Sequence, residues 1–89
     1  MNYLDLNILT AQIEDVFKKY EKKLPEIKIH KFSQHMSLVI GGYWEFYFDK
    51  KDDGYIFSSV TDSNYNDDIT LSKIKAYIVC DLINNKIIS

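Results

Sequence analysis

Hydrophobic residues recur every three or four positions in the first quarter of the chain, which is the period of an amphipathic helix. The apolar residues on this face are Leu6, Leu9, Ile13, Val16, Phe17, Tyr20 and Leu24. Asn2 or Asp5 is placed to cap the start of the helix. Pro25 is expected to end it, because proline disfavours the helical conformation in the residue before it.

After Pro25 the pattern changes to alternation of apolar and polar residues, which predicts four β-strands. The predicted strands cover residues 26–32, 36–40, 43–49 and 55–60. In the third strand, alternation puts Trp44, Phe46 and Phe48 on one face of the sheet. Tyr43 and Tyr47, and one of Tyr55 and Phe57 from the fourth strand, are expected on the opposite face.

A second helix is predicted from Ile69 to about Ile87, after a polar loop over residues 61–68. Asp67 or Asp68 is placed to cap it. Its apolar positions, expected to be largely buried, are Leu71, Ile74, Ile78, Val79, Leu82 and Ile83.

The order helix, four strands, helix, joined by short connections, favours an antiparallel meander. The simplest packing places both helices on one sheet face, with the aromatic side of the third strand beneath them. The predicted fold is therefore an α+β two-layer sandwich, αββββα, formed by one domain over residues 1–89.

The composition of the chain bears on the cellular compartment in which we expect it. Residues 1–10 lack the basic start of a signal peptide, and no apolar run approaches the roughly 20 residues that cross a bilayer. Cys80 is the one cysteine of the sequence, so an intrachain disulfide is excluded. We therefore expect a cytoplasmic protein without membrane association, with Cys80 packed as a small core residue.

Catalytic and metal-binding motifs are not evident in the sequence. Two histidines, His30 and His35, and a single cysteine do not make up a standard structural zinc site. The loop at Asp62 begins like a calcium-binding EF-hand, but its sixth position is Asp67 instead of glycine and its twelfth is Lys73 instead of glutamate. The sequence favours a non-enzymatic protein without a metal or cofactor.

The charge is distributed unevenly along the chain. Residues 45–68 carry two lysines and seven acidic residues, a net charge of −5 within a chain whose total is −2. If the predicted hairpin tip and the loop over 61–68 meet at one end of the sheet, they form an acidic patch beside exposed tyrosines. Such a patch steers association with a basic partner.

These features together resemble several families of bacterial immunity proteins, encoded beside contact-dependent or polymorphic secreted toxins. The resemblance runs from residue 43 to about residue 82 and includes a polar loop and a final apolar helix. Its hairpin residues are Asp49, Asp52, Asp53, Gly54 and Tyr55. The resemblance implies a protein that binds a toxin domain and blocks it. Phage-encoded anti-defence proteins, including anti-CRISPR inhibitors, share this profile.

The sequence thus predicts a small acidic inhibitor that occludes a basic cleft of a toxin, such as that of a nuclease. The predicted contact residues are Tyr43, Tyr47, Asp52, Asp53, Asp62, Tyr65, Asp67 and Asp68. An alternative is a homo-oligomeric structural or regulatory protein in which the aromatic sheet face closes a dimer. Nucleic-acid binding through the lysines of residues 18–23 is disfavoured, because Glu14, Asp15 and Glu21 lie near or among them and the chain has no arginine.

Overall fold

The computed structural model describes residues 5–62, 68–85 and 87–88. It confirms the α+β fold, with one helix, four antiparallel strands in a single sheet and a second helix. The elements are α1 Leu6–Lys19, β1 Ile27–Lys31, β2 His35–Ile40, β3 Trp44–Lys51, β4 Gly54–Asp62, α2 Ile69–Asn85 and β5 Ile87–Ile88.

The sheet gains a short fifth strand that the sequence pattern did not predict. β5 pairs antiparallel with β4, which gives the order β1-β2-β3-β4-β5. α2 ends at Asn85, two residues before the predicted end at about Ile87. Asparagine is a poor helix former, and the β-branched isoleucines that follow favour a strand.

α1 begins as predicted at Asp5, whose carboxylate Oδ1 accepts a hydrogen bond of 2.6 Å from the backbone N–H of Asn7. It ends at Lys19, well before Pro25. Glu21 adopts a left-handed conformation with φ of 57°. This conformation lets the N–H of Lys22 donate to the carbonyl of Phe17 at 2.9 Å, which closes the last turn.

Both helices pack on the same face of the sheet, over the apolar sides of β2 and β3. The predicted aromatic row of Trp44, Phe46 and Phe48 is confirmed as core, since none of the three is more than 1% exposed. The other buried apolar residues are Leu9, Ile13 and Phe17 of α1, Met36, Leu38 and Ile40 of β2, and Leu71, Ile74, Ile78 and Leu82 of α2.

The β3–β4 hairpin contains a bulge that decides where its aromatic residues point. Tyr47 pairs with Ser59 and Phe48 with Phe57, so Ser58 is an extra residue in β4. Phe57 and Tyr55 both pack against the core. The expectation that one of them lies on the opposite face is wrong, because residues two apart on a strand share a face.

Cys80 also departs from its expected position. It is exposed on α2 rather than packed in the core. The buried positions of this helix include Ile78 and Leu82. Residue 80 is two positions from each of these, and two steps of a helix turn a side chain about 200°, to the opposite side.

Candidate interaction surface

The acidic segments predicted to form one patch lie at opposite ends of the β3–β4 hairpin. Asp52 and Asp53 form the two-residue tip, next to the pairing of Lys51 with Gly54. Asp62 pairs with Trp44 at the other end of the same ladder. At roughly 3.3 Å per residue, nine residues of β4 separate the two ends by roughly 25 Å.

Of the predicted contact residues, Tyr65 and Asp67 lie outside the described residues. The remaining six are split between the tip, the helix-free sheet face and the far end of the sheet. The acidic patch was predicted on the condition that the hairpin tip and the loop over 61–68 meet at one end of the sheet. Among the residues that the structure describes, these segments lie at opposite ends, so the patch does not form.

Asp62 and Asp68 are engaged within the chain. The Asp62 carboxylate lies 2.7 Å from the ammonium Nζ of Lys75 on α2. Asp68 lies 3.1 Å from the ammonium of Lys22, and its Oδ1 accepts hydrogen bonds from the N–H groups of Thr70 and Leu71 at 2.9 and 3.3 Å. Asp68 is therefore the cap of α2, and both carboxylates connect α2 to the rest of the fold.

The Lys22 hydrogen bond is the main reason why the pKa of the Asp68 carboxyl lies below its ordinary value, and the backbone donors act in the same direction. The carboxylate is thus held in its charged form by the groups that also fix the start of α2.

The two predicted contact tyrosines have different environments. Tyr43 is half-buried and packs against the core, with its ring centre 5.4 Å from that of Trp44. Tyr47 lies in the middle of β3, on the face without helices, between Ser37 and Ser59. A hydrogen bond to Glu45 raises the pKa of Tyr47, while one from Thr61 lowers it. Tyr47 is also half-buried, but its ring lies on the helix-free face and not against the core.

The face of the sheet that carries no helix is mainly polar. On β3 it presents Glu45, Tyr47 and Asp49 in a row, because these residues are two positions apart. Phe32 stacks on His35 at 4.4 Å between ring centres and is half exposed. The aromatic sheet face expected for a dimer is therefore absent from the described residues, since most β3 and β4 aromatic rings point to the helices.

The β3 row continues into the hairpin tip. Asp52 and Asp53 are exposed there, together with Lys50 and Lys51. The backbone N–H of Lys50 donates to the carbonyl of Gln34 at 2.9 Å, which holds the tip beside the β1–β2 turn. Residues 45–53 contain four carboxylates and two lysines, a formal charge of −2. We call the outward-facing residues of this segment, which are Glu45, Tyr47, Asp49 and the tip residues 50–53, the β3 surface.

Sequence reasoning missed Glu45 and Asp49 as members of this surface, although the alternation in β3 places them beside Tyr47. It also missed the outward side of α2, where Ile69 and Ile83 are 71% and 55% exposed. The spacing of these residues was readable from the sequence, but Ile83 was assigned to the buried side.

Within the described ranges, no group of three or more His, Cys, Asp or Glu residues is arranged to hold a metal ion. No helix in the same part of the chain is long and apolar enough to cross a membrane. Comparisons with protein-family models, with curated proteins and with solved structures find no match to this chain.

Proposed function

We propose that this protein is a non-enzymatic cytoplasmic inhibitor that binds a protein target through the β3 surface. The resemblance to immunity proteins makes a toxin domain the first candidate target, and a phage anti-defence inhibitor is the alternative with the same binding chemistry. The observation that supports the proposal is the row of Glu45, Tyr47 and Asp49 on a helix-free face, which leads through Lys50 and Lys51 to Asp52 and Asp53 at the hairpin tip.

The chemistry of this row fits a basic cleft. Its carboxylates offer acceptors to lysine and arginine side chains, the residue types with which a nuclease binds the phosphates of a nucleic acid. Tyr47 supplies apolar area at the centre of the row, and tyrosine is enriched among residues that dominate binding energy. The mechanism is occlusion, in which the β3 surface covers the target's active site.

Compared with the expectation from sequence, the proposed contact set is smaller and shifted. Tyr47, Asp52 and Asp53 remain in it, and Glu45 and Asp49 join it. Asp62 and Asp68 are left out because their carboxylates already bind lysines of the same chain.

The test is an affinity pull-down from lysate of the source organism, with three baits. These are the wild-type protein, the double variant Glu45→Lys/Asp49→Lys, and the control Glu14→Lys/Asp15→Lys. Both variants change the net charge by the same amount, and the control residues are exposed on α1. We expect one stoichiometric partner with the wild type and the control, and at least tenfold less of it with the β3 variant.

The recovered partner is then measured in solution with the variant Tyr47→Ala, and its own activity is assayed with and without the protein. Loss of affinity together with inhibition of the partner's activity supports the proposal. Equal recovery by the wild type and the β3 variant, or binding that leaves the partner fully active, refutes it.

A further inference from the structure

α2 has two apolar sides, and the fold buries one of them. The buried side carries Leu71, Ile74, Ile78 and Leu82. On the opposite side an exposed stripe follows a spacing of four, three, four and three residues. We call this set the α2 stripe: Ile69, Lys73, Ala76, Cys80 and Ile83.

This spacing is that of a helix–helix seam. At 3.6 residues per turn, all five positions lie within about 40° of one line along the helix, diametrically opposite the buried side. A seam of apolar positions alternating by three and four residues is the pattern with which two helices pack along their length. A shallow apolar cavity on this side is lined by Lys73, Ala76, Tyr77 and Cys80.

The α2 stripe is complementary to itself when two copies run antiparallel. Ile69 and Ile83 each lie seven residues from Ala76, so a twofold axis at Ala76 places each isoleucine against the other in the partner copy. The small side chain of Ala76 lets the helices approach at the axis.

The charge of Lys73 also favours the antiparallel arrangement of the two helices. In the antiparallel pair, the Lys73 residues of the two copies lie six residues apart, about 9 Å along the helix, so their charges are separated. In a parallel pair, each Lys73 would lie against another Lys73, and the like charges would repel each other.

We propose that the chain forms a homodimer in which two α2 helices pack antiparallel through the α2 stripe. The dimer is independent of the proposed inhibitor function, because α2 packs on the sheet face opposite the β3 surface. Ile83, at one end of the stripe, also borders a groove with Ile56 and Phe57 of β4. A single helix pair is a small interface, so we expect a weak dimer, half formed at roughly 10–100 µM.

The first test is sedimentation equilibrium over a range of concentrations. We expect the mass to rise from the 10.5 kDa of one chain towards twice that value. The variant Ile69→Glu/Ile83→Glu should weaken the association at least tenfold. Ile8→Glu is the matched control, because Ile8 is an isoleucine of similar exposure, 52%, on α1. Denaturant unfolding of each variant verifies that the fold is retained.

The second test fixes the direction of the helices by mild oxidation. In the antiparallel pair the two Cys80 residues are offset by eight residues, about 12 Å along the helix, which exceeds the reach of a disulfide. We therefore expect the wild type to remain uncrosslinked and the variant Ala76→Cys/Cys80→Ser to form a covalent dimer. Rapid crosslinking of wild-type Cys80 instead would show a parallel pair.

A chain that remains monomeric at high concentration overturns the proposal. If the wild type is monomeric and Ile69→Glu/Ile83→Glu no longer recovers the partner in the pull-down, the proposal is also overturned. The α2 stripe would then bind that partner instead of a second copy. The variant Glu45→Lys/Asp49→Lys should leave the mass unchanged, so a failure of the inhibitor proposal is distinguishable from a failure of the dimer.

Discussion

The two helices cover the same sheet, yet they differ in what they present to solvent. α1 buries Leu9, Ile13 and Phe17, and its outward side is mostly polar and charged apart from Ile8. α2 buries a comparable row, but its outward side carries four apolar residues and one lysine: Ile69, Lys73, Ala76, Cys80 and Ile83.

This difference distinguishes the apolar residues that the fold needs for its core from apolar residues that remain exposed. A helix on the surface of a two-layer fold needs one apolar side, and α1 has approximately that composition. The second apolar side of α2 contributes little to the stability of a single chain, because its residues remain in water. Contiguous exposed apolar patches on a folded chain often belong to interaction surfaces.

The largest expected effect contrasts the two sides of α2. Ile74→Ala removes a side chain that is 0% exposed, and we expect it to lower the free energy of unfolding by about 2–5 kcal/mol. Ile83→Ala should change it by less than about 0.5 kcal/mol, because that side chain is largely in water. Urea unfolding at low protein concentration measures both.

Ile13→Ala on α1 is the companion variant, because Ile13 is 1% exposed. It should cost about as much as Ile74→Ala, which would show that both helices contribute to the core equally. A cost for Ile83→Ala as large as that for Ile74→Ala would contradict the two-sided description of α2.

A smaller effect concerns Asp68, which connects the two helices through Lys22. Its pKa lies below the ordinary value of 3.8, mainly because of the Lys22 hydrogen bond. The carboxylate therefore stabilises the fold above pH 3.8, and this contribution is lost as the pH falls below that value.

Asp68→Asn keeps an oxygen that can cap α2 but removes the charge. We expect the wild type to be more stable than this variant at pH 7, with the difference shrinking below about pH 4. Denaturant unfolding at several pH values tests this. A difference that is the same at pH 7 and pH 3 would show that the charge contributes nothing, and Lys22→Gln should flatten the profile in the same way.

The smallest effect concerns the tyrosine pair between the helices. The rings of Tyr20 and Tyr77 are 6.1 Å apart, and Lys19 lies 4.6 Å from the centre of the Tyr77 ring. The hydrogen bond from Tyr20 is the largest cause of the lowered pKa of Tyr77, and Lys19 acts in the same direction. We expect Tyr20→Phe to raise the pKa of Tyr77 with little change in stability.

An NMR titration of labelled tyrosine follows this pKa directly. Lys19→Gln should also raise the pKa of Tyr77, because a hydrogen bond from Lys19 and its charge both lower that pKa. An unchanged titration of Tyr77 in Tyr20→Phe would mean that the two hydroxyls do not interact in solution.

The parts of the fold that depend on local periodicity were predictable from the sequence. The alternation in residues 43–49 correctly separated Phe46 and Phe48 from Glu45 and Tyr47, and the three- and four-residue spacing located both helices. The end of α1 at Lys19 was not predictable in this way, since it depends on the left-handed conformation of Glu21.

The candidate site was harder to predict from the sequence, because it depends on the strand register and on distances between residues far apart in the chain. Counting charges over residues 45–68 grouped Asp52 with Asp62, although the hairpin separates them by its full length. The roles of Asp62 and Asp68 depend on Lys75 and Lys22, and the second of these is 46 positions away in the chain. No local pattern identifies such a partner.

The two edges of the described sheet differ in how they resist the addition of strands from other molecules. At one edge, β5 pairs with Tyr55 and Ile56 near the start of β4, and at the other edge β1 is the outer strand of the described sheet. An outer strand offers unpaired backbone groups to which strands of other molecules can add, the first step towards aggregation. β1 carries Lys28, His30 and Lys31, all exposed. Its two lysines would repel an identical strand, which disfavours the addition of a second copy at this edge.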